Sequence, residues 1–264
     1  VRIEDVDAPR TVAGAADDIL RTLEAYALPW DGDVVYQTQR TEAYREALDR
    51  LQRQRICYAC TCTRKQIAAI ARRTSSGQVY PGTCRDKTPP RRGAFAIRVR
   101  TGDTSIGFGD LVQGPFRQNL RDQVGDFVVR RSDGLFAYQL AVVVDDADVG
   151  ITEVVRGMDL FDSSPRQIHL QRLLGLSTPD YAHLPLAVNH LGLKLSKMSG
   201  AAGVDRIRPG AVLHTALRFL GQQPPPDLGM EPAESVLGWG MRHWRIACVP
   251  GVAAIREPAV GDTA

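Results

Sequence analysis

Long apolar runs are missing from this chain. No stretch of about 18 apolar residues occurs in its 264 positions, which excludes a membrane-spanning helix and predicts a protein with no membrane partner. No secretory signal peptide is expected. Internal repeats and low-complexity segments are absent too, which excludes solenoids and arrays. Cysteine is scarce and odd in number: five, of which Cys57, Cys60, Cys62 and Cys84 fall in one short segment. That clustering points to a metal site in a reducing compartment rather than to a disulfide framework, and so to the cytoplasm.

What is present is ordinary for a globular enzyme. The chain is 44% hydrophobic and 24% charged, enough for one large domain or two small ones with a buried core. A net charge of +3 permits an RNA or nucleotide partner without demanding one. The pairs Arg72-Arg73, Arg91-Arg92 and Arg130-Arg131 are candidate basic clusters, each of which alone also reads as solvated surface.

In chain order, Val1-Arg2-Ile3 reads as a strand already under way. Thr11 is the expected cap of a helix with Ala15, Ile19, Leu20, Leu23 and Tyr26 at a 3.6 period. Leu28 to Asp33 is a turn, and a second amphipathic helix over 42–53 places Tyr44, Ala47, Leu48 and Leu51 on one face. This alternation predicts an α/β domain. Ala94 to Arg100 alternates as a half-buried strand with its basic residues on one face, and Asp126 to Arg130 is another strand. Ile151 to Leu160 predicts a buried strand ending in Arg156-Gly157. An amphipathic helix over 163–174 follows, with Ser163 or Ser164 as its cap. Tyr181 to Leu186 reads as one short strand, Pro209 opens a helix, Pro224-Pro225-Pro226 is a stiff spacer, and the residues after Pro250 read as loose.

Four places carry chemistry. Glu4 at a strand end suits an ammonium, although an acidic turn in solvent has the same sequence. Arg156, followed by Gly157, suits bidentate capture of a carboxylate, with a structural ion pair as the competing account. Cys60-Thr61-Cys62 and the Gly82 turn before Cys84 bring three thiolates together for zinc; Cys57 and the Tyr80 phenolate both remain open as fourth ligand. Lys194-Leu195-Ser196-Lys197 offers two ammoniums and a hydroxyl to a nucleoside triphosphate, or is an ordinary surface loop. His183 could face a base, but a lone histidine there is more often a packing residue.

Taken in order, Arg2 to Asp7, Cys60-Thr61-Cys62, Phe136-Ala137-Tyr138 with Val142 to Asp146, Glu153 to Gly157, His183-Leu184-Pro185 and Lys194 to Lys197 resemble the catalytic part of a class I glutamyl-tRNA synthetase. More narrowly they resemble the short glutamyl-queuosine tRNA(Asp) synthetases, over nearly the whole chain. No separate anticodon-binding domain is expected after the lysine loop, and Val142 stands where full-length glutamyl synthetases usually carry asparagine. The resemblance implies a Rossmann-like α/β catalytic domain over 1–55 and 125–200. It also implies a zinc-containing, acceptor-binding-like insertion over 56–124 and a helical C-terminal part over 201–264. It implies glutamate contacts by Glu4 (ammonium), Tyr138 and Arg156 (carboxylate), catalytic lysines Lys194 and Lys197, and ATP contacts by Ser196 and Lys197. It settles the zinc ligands as Cys60, Cys62, Tyr80 and Cys84.

The implied substrates are glutamate, ATP with Mg²⁺, and tRNA(Asp) containing queuosine, acted on by a monomer. The alternatives are a glutamyl-tRNA synthetase fragment charging tRNA(Glu) and a non-catalytic zinc-containing tRNA-binding relative. The family's first signature, a His-containing loop, has no counterpart between Val1 and Ala264. It is expected upstream in frame as a Pro-Ser-x-x-Gly-x-x-His-x-Gly-like segment, together with an arginine and a serine that touch glutamate.

Overall fold

The computed structural model describes residues 1–74, 77–88, 92–103, 105–196 and 203–256. In chain order these form β1 (Arg2–Ile3), α1 (Ala15–Ala25), β2 (Val35–Tyr36), α2 (Thr41–Arg53), β3 (Cys57–Cys60), α3 (Arg64–Ile70), β4 (Arg72–Thr74) and β5 (Gly77–Val79). Next come β6 (Ala96–Val99), β7 (Ser105–Asp110), β8 (Gly114–Asn119), α4 (Leu120–Gln123), β9 (Phe127–Arg130), α5 (Tyr138–Asp148) and β10 (Glu153–Gly157). The last are α6 (Ser164–Leu174), β11 (Asp180–Leu184), β12 (Leu186–Val188), α7 (Pro209–Phe219), α8 (Ala233–His243) and β13 (Ala254–Arg256).

The core lies where α2, α5 and α6 meet the strands. The face read from the sequence of α2, Tyr44, Ala47, Leu48 and Leu51, is the buried one. Helix α5 is buried on every side from Leu140 to Asp145, so it sits in the middle of the domain. Its one buried charge, Asp145, accepts from Gln37 Nε2 (2.9 Å), Tyr44 Oη (2.8 Å) and Arg40 Nε (2.5 Å). Four residues are tied together there, and removing the carboxylate would cost about 3 kcal/mol or more by leaving its partners unmatched. Next to it, Arg2 Nη1 donates to Asp146 Oδ1 at 2.6 Å and pins β1 against α5.

Strand β10, helix α6 and strand β11 make a parallel βαβ unit whose register pairs Arg156 with His183. The hairpin β7–β8 joins the same sheet through Tyr181 and Asp110, giving the order β10-β11-β7-β8. An antiparallel sheet β3-β6-β9 lies apart, and β1 pairs with β2 in parallel.

Several local expectations change. Helix α1 starts behind Gly14 in a left-handed conformation, while Thr11 closes a short 3-10 turn at Ala8–Arg10. Strand β10 is an edge strand with Val155 61% exposed, so it is not buried. Helix α6 is buried most of the way round, Gln167 and Gln171 included, because it is packed between helices and sheet. Arg98 on the central strand β6 is buried too, and its guanidinium lies 3.8 Å from the Tyr80 ring centroid. Pro185 lacks an N–H and splits the expected Tyr181–Leu186 strand into β11 and β12. Strand β12 then pairs with β13, drawn from the segment after Pro250 that had read as loose. Among the described residues no helix is long and apolar enough to cross a membrane.

Candidate active site and metal cluster

Two of the three residues of the expected glutamate site, Tyr138 and Arg156, are set by α5 and β10. Tyr138 is the first residue of α5 and is half-buried, which raises its phenol above the ordinary value. The Glu4 carboxylate raises it further and the Arg156 guanidinium lowers it, so both charges act on this one hydroxyl. Glu4 is exposed and accepts from Arg2 Nη2 at 2.9 Å.

Arg156 is held on two sides. Its Nε donates to His183 Nε2 at 3.0 Å, and its Nη2 donates to Ser164 Oγ at 2.8 Å and to Leu160 O at 3.4 Å. The Nε–Nη2 edge is therefore occupied, which leaves Nη1 without a hydrogen-bond partner among the described residues. Gly157 gives room to a different neighbour than the one expected: a Cβ there would stand 2.7 Å from Asp159 Oδ1.

The lysine loop is a hairpin. Asn189 Oδ1 accepts from the N–H groups of Leu191 (3.0 Å) and Leu193 (2.9 Å), and Lys194 returns beside Val188. The Lys194 ammonium is paired with Asp159 and remains largely exposed. Ser196 is half-buried, and Lys197 lies outside the described residues.

The second cluster sits beside β3. The sulfurs of Cys60, Cys62 and Cys84 lie within 4.8 Å of one another. Tyr80 Oη is 3.3 Å from Cys60 Sγ and 3.7 Å from Cys62 Sγ, with Cys62 and Cys84 sulfurs 3.5 Å apart. A tetrahedron with metal–sulfur bonds of about 2.3 Å has edges of about 3.8 Å, so these separations fit four ligands around one soft cation. Burial pushes the Cys84 thiol up, but the Thr61 N–H and the neighbouring thiols and phenol bring it down to about 7. Tyr80 is pushed up, first by burial and then by Cys60, so the thiolate forms before the phenolate does. Cys57 is pushed up to about 12 by burial and lies on β3 opposite Val99. Gly125 holds the cluster against the rest of the chain: its φ is +74° and a Cβ would lie 2.4 Å from Tyr80 O.

A family model for the catalytic domain of class I tRNA synthetases (E and Q) matches residues 1–208. The chain is 52% identical to a glutamyl-Q tRNA(Asp) synthetase of Aromatoleum aromaticum over 250 residues, 95% of this chain and 79% of that protein. It is 53% identical to one of Dechloromonas aromatica over 261 residues, 98% of this chain and 87% of that protein. The chain belongs to the glutamyl-Q tRNA(Asp) synthetase family of class I tRNA synthetases.

The fold of this synthetase is shared with a glutamate-tRNA synthetase from Elizabethkingia anophelis, at 22% identity and a TM-score of 0.78. The match covers 98% of this chain and 61% of that one, so the chain spans under two thirds of the longer enzyme. Within the synthetase, Glu4, Tyr138 and Arg156 gather at one place, and Cys60, Cys62, Tyr80 and Cys84 at another. Asp110 and Asp159 were not singled out in the sequence, and His183, read as more often a packing residue, is wholly buried. Of the two serines expected as a helix cap, Ser163 stands at that position without a side-chain cap bond, and Ser164 instead accepts from Arg156. The one available signal was the Arg156–His183 pairing of a βαβ unit, which needs the strand register.

Proposed function

We propose that this synthetase activates glutamate with ATP and transfers it to the queuosine base in the anticodon of tRNA(Asp). The observation that carries this is the 52–53% identity to glutamyl-Q tRNA(Asp) synthetases over almost the whole chain. In this reading Glu4 takes the glutamate ammonium, Arg156 a carboxylate through Nη1, and Tyr138 a polar group between them. The hairpin from Lys194 through Ser196 to Lys197 takes the ATP phosphates, which arrive with Mg²⁺. The residues form no covalent intermediate: they align the glutamate carboxylate with the α-phosphate, and the lysines offset charge developing on pyrophosphate.

Cys60, Cys62, Tyr80 and Cys84 are the proposed zinc ligands, and the bound ion supplies folding energy to the insertion. The proposed division is a catalytic domain over 1–55 and 125–200, the insertion over 56–124 and a C-terminal part over 201–264, in a cytoplasmic monomer.

The test is transfer of labelled glutamate by the enzyme expressed from its complete reading frame. tRNA(Asp) carrying queuosine is expected to accept the label, and the same tRNA lacking queuosine is not. Labelling of tRNA(Glu), or of tRNA(Asp) without queuosine, sinks the proposal.

A further inference from the structure

Arg156 has no carboxylate within ion-pair distance among the described residues. A half-buried structural arginine is normally paired with an acid, because a charge partly withdrawn from water is costly to leave uncompensated. Here a histidine takes the acid's place. His183 is wholly buried, accepts from Arg156 Nε at Nε2, and lies 2.6 Å from Asp110 Oδ2 through Nδ1. Asp110 Oδ1 in turn accepts the N–H groups of Val112 (3.0 Å), Gln113 (2.9 Å) and His183 (3.1 Å). The surroundings are aromatic: Phe161 meets the His183 ring edge-on at 5.0 Å and Tyr181 stacks on it at 6.0 Å.

We infer that Asp110 and His183 are positioning residues for Arg156, with the Asp110 carboxylate keeping the His183 proton on Nδ1 so that Nε2 stays an acceptor for the guanidinium. This rests on the reading that Arg156 takes a glutamate carboxylate. The logic is one of charge. A carboxylate placed directly on Arg156 would neutralise the group that must attract an anion. A neutral imidazole orients the same planar guanidinium and leaves its full charge for the ligand. The acid stands one ring away, where four N–H groups satisfy it. The opposite tautomer would set an Nε2–H against Arg156 Nε–H at 3.0 Å, two donors facing each other, with only Ser164 Oγ at 3.2 Å left to accept the imidazole proton and Arg156 Nε left unmatched. Strand register makes the arrangement possible, since Arg156 and His183 are paired neighbours on β10 and β11.

The experiment compares R156A, H183F, H183Q and D110N by glutamate-dependent ATP–pyrophosphate exchange on the enzyme from its complete reading frame. Circular dichroism checks folding, and ¹⁵N histidine spectra read the tautomer. H183F is expected to raise KM for glutamate about tenfold or more, the size of a lost bond to a charged group. KM for ATP should hold within twofold. H183Q, whose side-chain oxygen can accept from Arg156 Nε, is expected to recover most of the loss. D110N keeps Oδ1 for the turn but turns an amide NH₂ toward Nδ1. It should shift His183 to the Nε2–H tautomer and raise KM for glutamate alone. A folded H183F with unchanged KM for glutamate, alongside an R156A that raises it, overturns the relay and leaves the Arg156 reading standing. An unchanged KM in R156A removes the reading itself. If H183F does not fold, D110N decides by the same two readouts: no tautomer shift, or a shift without a KM change, overturns the relay.

Discussion

One buried histidine, His183, and one half-buried, His169, should make the stability of this synthetase sensitive to acid. Burial holds His183 below its ordinary 6.5, with the Arg156 charge adding to this against the Asp110 bond. Burial does the same to His169, whose Nε2 lies 3.0 Å from Arg100 O. Both are neutral in the fold and take up a proton on unfolding as pH falls through about 6.5. Their contribution is therefore complete above pH 6.5 and declines below it. Asp110, held below its usual value because its N–H partners outweigh burial, adds a second loss only at more acid pH. Urea melts at pH 7.5 and 5.5 should give a lower midpoint at 5.5. The drop should be shallower in H169Q, whose amide donates to Arg100 O without titrating. Equal midpoints at the two pH values would contradict the assignment.

Among the elements, the hairpin after β12 places Lys194. Its turn is closed by backbone bonds between Asn189 and Leu193 and between Gly192 and Asn189, by the Asn189 side chain, which accepts from two backbone N–H groups, and by an exposed ion pair from Lys194 to Asp159. An exposed pair of this kind contributes at most about 1 kcal/mol. Asn189→Ala is expected to cost no more than about 1–2 kcal/mol of stability. It should slow pyrophosphate exchange roughly tenfold at saturating glutamate, because the groups proposed to bind the phosphates lose their alignment. KM for glutamate should not move, since Glu4 lies just after β1, Tyr138 on α5 and Arg156 on β10. A parallel rise in KM for glutamate would show that the two halves of the site are not independent.

For the whole molecule, the proposed zinc site bears on how much of the chain folds as a unit. Besides Cys60, Tyr80 and Cys84 themselves, the apolar side chains packed there are Tyr58, Cys62 and Ile67, so the proposed ion would supply what a core does elsewhere. Purified enzyme should carry close to one zinc per chain. Chelation should lower Tm and raise amide exchange across β3 to β6 before α2 and α5. Cys84→Ser should abolish retention of the ion, and Tyr80→Phe should weaken it by about 10–100-fold. Full retention in Tyr80→Phe would mean that the phenol is not a ligand.

The sequence by itself determined the buried face of α2, the clustering of Cys60, Cys62 and Cys84, and the family, because each depends on residues close in the chain or in a fixed order. Only the tertiary structure decided what surrounds Arg156. Asp110 lies 73 positions before His183, and His183 lies 27 after Arg156. They meet because β10, β11 and β7 align in one sheet, and no local period encodes that register. The same holds for Arg98, whose alternation on β6 predicted a basic face. Burial under two neighbouring strands and over Tyr80 turned that charge inward, toward the metal cluster.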